Sequence, residues 1–234
     1  MPEDLLRPYN PFDIFDTEAA RLDRFFSGLD EEGWRRPSRA AGWSVRDVLG
    51  HLAGEELYNQ ACLDDTLDDL RKLMEREGIG GYEEFNEWCV RQRRNLPVGQ
   101  VLDEWRTKNG DTRRRMRALG RDALLPTMAG PYPVGFQTFH YDSEYATHAD
   151  DVGAPVGEDE AEARTLWRVA VGRFALHEKD PGVQVEQTAD QIWVHAGDAE
   201  ATLSYPEFVE ATVGRLPEGH GLGPRLVKAL RCLA

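Results

Sequence analysis

The sequence predicts a mainly α protein, a four-helix bundle followed by a small α+β domain. Two observations carry that expectation. Up to Gly153 the apolar residues recur at helical spacing, in segments separated by Gly- and Pro-containing turns; beyond the Gly153 to Gly157 linker, short β-prone runs appear instead. The expected domains are 1–153 for the bundle and 158–234 for the small α+β C-terminal domain, and 234 residues suffice for two modest cores.

The first helix is expected over positions 13 to 30, where Ile14, Phe15, Leu22, Phe25, Phe26 and Leu29 form one apolar face, and it should end before Gly33. A turn with Pro37 and Gly42 follows. Ser44 to Asp47 then reads as a capping box that starts a second helix, with Val45, Val48, Leu49 and Leu52 as its stripe. That helix runs to about Asp64, with a further helical stretch to Glu77 before Gly78, Gly80 and Gly81. A third helical region spans 82 to 119 and is interrupted at Pro97, which suits the first turn of a new helix. Met128 to Gly135 is a Pro- and Gly-rich connection, and Phe136 to about Asp150 has no breaker, giving the fourth helix. The long connection is placed before this last helix, within a four-helix bundle. The C-terminal domain is expected to begin with a helix over 159 to 178, followed by β-prone runs at 183–186, 191–195 and 201–203, and a last helix near Pro206.

The net charge of -14, from 28 basic and 42 acidic residues, argues against a phosphate-backbone partner. The basic run Arg113, Arg114, Arg115 and Arg117 reads as a solvated helix face. No run of about 18 apolar residues is present to span a bilayer, and Met1 to Asn10 has no signal pattern, so a soluble, cytoplasmic protein is expected. Cys62, Cys89 and Cys232 are odd in number and widely spaced, as reduced thiols are.

The chemistry-bearing pattern is His51 with Glu144-x-x-x-His148. On a helix, Glu144 and His148 stand about 40° apart and ~6 Å along the axis, so both can reach one ion. Asp151 lies near the same stripe, and His51 lies at the edge of the apolar arc one turn from Val48. Two imidazoles and a carboxylate suit a divalent transition metal with open coordination positions. From spacing alone a second reading stands beside this one: His51 lines a polar edge of the core, and Glu144 with His148 is an ordinary i,i+4 pair. Glu55, one turn after His51, is either a proton carrier near the metal or a helix-surface charge. His140 reads as a pocket-lining or core residue, and His177, His195 and His220 have no partners at ligand spacing.

The stretch Gly42-Trp43-Ser44-Val45-Arg46-Asp47-Val48-Leu49-Gly50-His51-Leu52-Ala53-Gly54, together with Glu144-x-x-x-His148-x-x-Asp151-Val152-Gly153, resembles the mycothiol-dependent maleylpyruvate isomerase family of the DinB-like superfamily. The excess of Arg over Lys, 24 to 4, suits the GC-rich actinobacteria that make mycothiol. The resemblance implies a DinB-like bundle in which His51, Glu144 and His148 bind Zn²⁺ or another divalent transition metal, with mycothiol as thiol cosubstrate. Asp151 would then orient a ligand imidazole or merely end its helix. The implied reaction is isomerisation of maleylpyruvate or a related electrophile, or S-transfer of the thiol. Arg215 and Arg225 are the C-terminal candidates for holding substrate carboxylates. The resemblance implies a small-molecule thiol and an electrophile as partners; from charge and hydropathy no nucleic acid and no membrane are expected, and the chain is expected to be a monomer or homodimer. Two alternatives remain open: a metal-dependent hydrolase, and a non-catalytic metal-binding stress-response module.

Overall fold

The computed structural model describes residues 2–233 and divides into two compact units, Pro11–Pro155 and a second that joins the described residues of Met1–Asn10 to those of Val156–Ala234. The chain is mainly α, with small sheets, as the sequence predicts.

The first unit contains α1 (Pro11–Ser27), α2 (Glu31–Arg35), α3 (Val45–Asp64), α4 (Leu67–Glu77), α5 (Tyr82–Arg93), α6 (Val98–Leu119), the hairpin β1 (Leu124–Thr127) with β2 (Gly130–Pro133), and α7 (Val134–Val152). Helix α1 stops three residues short of the expected end. Asp30 accepts a hydrogen bond from the Gly33 amide at 2.7 Å and so caps a separate helix, α2, which contains Gly33. The Ser44/Asp47 capping box forms as expected and starts α3.

Helices α1, α3, α6 and α7 make the bundle, and side-chain pairs fix their directions. Arg113 and Arg117 near the end of α6 reach Asp16 and Asp13 near the start of α1, so these two helices are antiparallel. Glu56 pairs with Asn109 and Asp64 with Arg115, so α3 and α6 run parallel. Thr138 meets Met116, and His51 meets Glu144, so α7 opposes both. The long crossover therefore lies between the second and third bundle helices, through α4 and α5. The segment before the last helix, expected to be the long connection, is instead the short hairpin. The basic run of α6 is likewise more than a solvated face, since Arg113, Arg115 and Arg117 tie α6 to α1 and α3. Phe15, Leu22, Phe26, Val48, Leu49, Leu52, Trp105 and Tyr145 fill the space between the helices.

The second unit contains a 3-10 turn at Pro2–Leu6, α8 (Glu158–Lys179), β3 (Gln184–Gln187), β4 (Gln191–Ala196), β5 (Ala199–Ser204), α9 (Tyr205–Thr212) and α10 (Pro224–Leu230). The strands form one antiparallel sheet in the order β3-β4-β5, with Ile192 opposite Leu203 and Val194 opposite Ala201. Val169 and Leu176 of α8, Phe208 of α9 and Leu230 of α10 pack with the buried Ile192, Val194 and Leu203. The helix expected near Pro206 is α9, and α10 follows it. Among the described residues no helix is long and apolar enough to cross a membrane.

Candidate metal centre

Helical spacing aligns two stripes in the bundle. His51, Glu55, Tyr58 and Cys62 follow one another at 4, 3 and 4 residues on α3; Tyr141, Glu144, His148 and Asp151 follow at 3, 4 and 3 on α7. Because α3 and α7 are antiparallel, His51 meets the Glu144–His148 end of the opposing stripe. Glycines bring the helices close: a Cβ on Gly54 would overlap the Cβ of Cys89 on α5, and one on Gly50 would lie 3.5 Å from Arg93 Cβ. Gly50 and Gly54 thus let α5 press on the back of α3 while His51 and Glu55 face inward.

One nitrogen each from His51 and His148 and a Glu144 oxygen lie within 4.8 Å of one another. His51 Nε2 stands 2.9 Å from Glu144 Oε1, and the two imidazole centroids are 4.8 Å apart. His148 Nδ1 pairs with Asp151 Oδ2 at 3.1 Å, which leaves Nε2 as the ring nitrogen available to a metal. Trp43 covers both rings, at 5.0 Å from His51 and 6.3 Å from His148, and its Nε1 donates to Glu87 Oε1 at 2.6 Å. His51 and His148 are buried, whereas the Glu144 side chain keeps 16% of its surface open to solvent.

The electrostatics follow from this burial. Burial is the first cause that lowers the pKa of His51, favouring the neutral ring whose lone pair a metal needs. Burial works against ionisation of Glu144, yet the His51 hydrogen bond and charge, with help from Glu55 and His148, overcome it and set Glu144 at about 2. Glu55 goes the other way: burial first, then the neighbouring Glu144, raise it well above the carboxylate range. His51 Nε2 is 3.7 Å from Glu55 Oε2, too far for a hydrogen bond.

These residues fit a metal ion. A tetrahedral ion with bonds of about 2.1 Å holds its ligand atoms ~3.4 Å apart, so side-chain adjustments of about 1 Å close the observed set around it. The donor types, nitrogen, nitrogen and carboxylate oxygen, are those of a catalytic zinc site with an open position. Among the described residues His51 Nδ1 is buried without a hydrogen-bond partner, and no donor reaches the buried Glu55 oxygens, whose carboxyl shares a hydrogen bond with Glu144.

Of the residues singled out in the sequence, His51, Glu55, Glu144, His148 and Asp151 come together here. Arg215 and Arg225 belong to the second unit, where Arg225 pairs with Asp198 and Arg215 donates to the Val213 carbonyl at 3.4 Å. His140 pairs with the Tyr132 hydroxyl at 3.3 Å and is not among the grouped ligands. Sequence reasoning did not assign a role to Trp43, Tyr58 or Tyr141. Periodicity alone would have placed both tyrosines on the ligand stripes.

The family model of the mycothiol maleylpyruvate isomerase N-terminal domain matches residues 15–153, more than half of the chain. The chain belongs to this family. The match spans the bundle from α1 to the end of α7 and so contains the whole His51, Glu144 and His148 group. No curated protein and no solved structure matches the chain. As a member of the mycothiol maleylpyruvate isomerase family, it presents His51, Glu144 and His148, three side chains that could hold a metal ion, inside the matched domain, each on a bundle helix.

Proposed function

We propose that the protein is a zinc-dependent enzyme that activates mycothiol for isomerisation of maleylpyruvate or a related electrophile, or for S-transfer. The convergence of His51, Glu144 and His148 within a matched isomerase-family domain supports this reading above all. His51 and His148 would bind through neutral imidazole nitrogens and Glu144 through its carboxylate. Asp151 holds the His148 ring in place and fixes its tautomer. Trp43 shields the two imidazoles from water on one side. Glu55 would carry a proton near the metal, since it lies beside His51 and Glu144 and burial keeps its carboxyl protonated. Bound zinc supplies a charge that lowers the proton affinity of a thiol and so favours the nucleophilic thiolate. For maleylpyruvate, addition of the thiolate to the conjugated double bond permits rotation, and its departure gives fumarylpyruvate.

Native mass spectrometry with metal analysis, before and after incubation with mycothiol, tests ion and thiol together. One zinc per chain and a mass increase equal to one mycothiol are expected, with zinc lost in His51→Ala. Retention of zinc and activity in His51→Ala would overturn the assignment, and turnover that persists without any thiol would replace it with hydrolysis.

A further inference from the structure

Tyr141 and Tyr145 lie one turn apart on α7, both buried, and their hydroxyls are in opposite situations. Tyr145 Oη accepts from Trp105 Nε1 at 3.0 Å and from Asn109 Nδ2 at 2.7 Å, and lies 3.4 Å from Glu56 Oε1. Among the described residues, Tyr141 Oη is buried with no hydrogen-bond partner. A native fold rarely leaves a buried phenol unsatisfied unless water or a ligand completes it.

The surroundings of Tyr141 show where that ligand would sit. Its position precedes Glu144 by one turn on the ligand stripe, roughly 5 Å along the helix axis. Opposite, Tyr58 lies one turn beyond Glu55 on the stripe that begins with His51, and its ring meets that of Tyr82 edge-on at 6.4 Å. Phenols from α3, α5 and α7 therefore gather at the end of the seam beyond the ligand group. Tyr58 is already engaged there, with Cys62, Thr127 and the Met128 backbone. The electrostatic neighbours agree with this placement. After burial, Cys62, Tyr58, Tyr82 and Glu55 raise the Tyr141 hydroxyl. Tyr82 is 52% exposed, so it borders solvent, while Tyr141 lies deeper.

We propose that the Tyr141 hydroxyl donates a hydrogen bond to the carbonyl oxygen of the electrophile, which would be a conjugated unsaturated carbonyl compound, with Tyr82 flanking it on the solvent side. This rests on the thiol-dependent reading above. When the sulfur–carbon bond forms at the β-carbon, the alkene electron pair moves into the bond beside the carbonyl, and the carbonyl pair moves onto oxygen. Tyr141 meets that negative charge. Collapse of the same electrons expels the thiolate from the rotated molecule, so no oxidant and no net proton is required. A sulfur held at the ligand group and an oxygen one helical turn away match the two ends of such a conjugated system.

The test uses the full-length, zinc-loaded chain with mycothiol and maleylpyruvate, and Tyr141→Phe and Tyr145→Phe as variants. For Tyr141→Phe, zinc content, mycothiol binding and melting temperature should stay at wild-type values, because the hydroxyl that is removed has no partner in the fold. Its kcat should fall on the order of 10²-fold, as for loss of one oxyanion donor. Calorimetric binding of fumarylpyruvate without thiol should weaken about tenfold. Tyr145→Phe should show the reverse, a lower melting temperature with kcat retained. Unchanged kcat and unchanged fumarylpyruvate affinity in Tyr141→Phe would overturn the assignment. A wild-type chain that binds neither zinc nor mycothiol defeats the parent reading and this one with it; an active wild type with an indifferent Tyr141→Phe defeats this one alone.

Discussion

Glu55 and Glu56 are neighbours on α3, each at most 1% exposed, and they have opposite surroundings. Glu56 accepts from Asn109 Nδ2 at 2.9 Å and Thr112 Oγ1 at 2.5 Å, and Tyr145 Oη adds a 3.4 Å contact. Among the described residues no donor reaches Glu55, whose carboxyl has only the Glu144 carboxylate as hydrogen-bond partner. Burial raises the pKa of both, but for Glu56 the hydrogen bonds from Thr112, Asn109, Asn59 and Tyr145 pull against it. The one-residue step turns the side chain by about 100° around the helix, from the α6 face to the face that carries His51. The same burial thus serves two ends. On one side a satisfied network fixes α3, α6 and α7 against one another; on the other, polar groups are left open beside the ligand group.

The largest effect expected from this contrast is at Glu56. Glu56→Ala leaves the Asn109, Thr112 and Tyr145 groups without their common acceptor and opens a cavity, and should cost about 3 kcal/mol or more of stability. Denaturant unfolding checks this. A loss below ~1 kcal/mol would mean that the network relaxes or fills with water, and the contrast with Glu55 would dissolve.

Glu55→Gln should leave the denaturant midpoint unchanged or raised, because it removes a buried carboxyl that no donor satisfies. Activity with mycothiol should fall on the order of 10²-fold at constant zinc content, the usual scale for a lost acid–base group. Full activity would return Glu55 to the core.

Asp151→Asn probes the supported imidazole. His148 has a carboxylate on Nδ1, while His51 Nδ1 is buried with no hydrogen-bond partner among the described residues. Loss of the Asp151 charge should weaken zinc affinity by about 10- to 100-fold, read by chelator competition, with little change in melting temperature. Equal zinc affinity would assign Asp151 to helix termination.

Much of this arrangement is legible in the sequence. The Ser44/Asp47 capping box and the apolar stripe of α3 locate His51, and the Glu144 to Asp151 spacing places three polar side chains on one face of α7. What stays hidden depends on partners distant in sequence. Nothing local separates Glu55 from Glu56; the distinction comes from Asn109, Thr112 and Tyr145, which arrive from α6 and α7. Tyr58 and Tyr141 sit at positions where an aromatic ordinarily fills a core. The β1–β2 hairpin escapes because Pro126, Pro131 and Pro133 make its strands read as a connection. Helix α2 escapes because a single Asp30 cap starts it, only three residues after α1 ends.

Glu104 provides the smallest and sharpest variation on the comparison, since its partners are cations instead of neutral donors. Arg93 grips it with two hydrogen bonds, at 3.1 and 2.7 Å, and Lys108 adds a third at 2.8 Å. Burial opposes ionisation of Glu104, but these bonds and charges outweigh it and bring the pKa below 4.5. The sign is therefore opposite to that of Glu56. A lowered folded-state value contributes stability that is complete above about pH 4.5 and is lost as the pH falls through the folded value. A raised one, as at Glu56, contributes below 4.5 and is lost as the pH rises through the folded value. Because the Glu104 side chain keeps 22% of its surface exposed, solvent screens the pair, and Glu104→Gln should cost only about 1 kcal/mol at neutral pH. Its melting temperature should then approach that of the wild type as the pH falls from 4.5 through the lower folded value, below which both chains carry an uncharged side chain at position 104. Parallel melting curves for the two proteins from about pH 7 down to about pH 3 would show that the Arg93 contact holds α5 to α6 by packing rather than by charge.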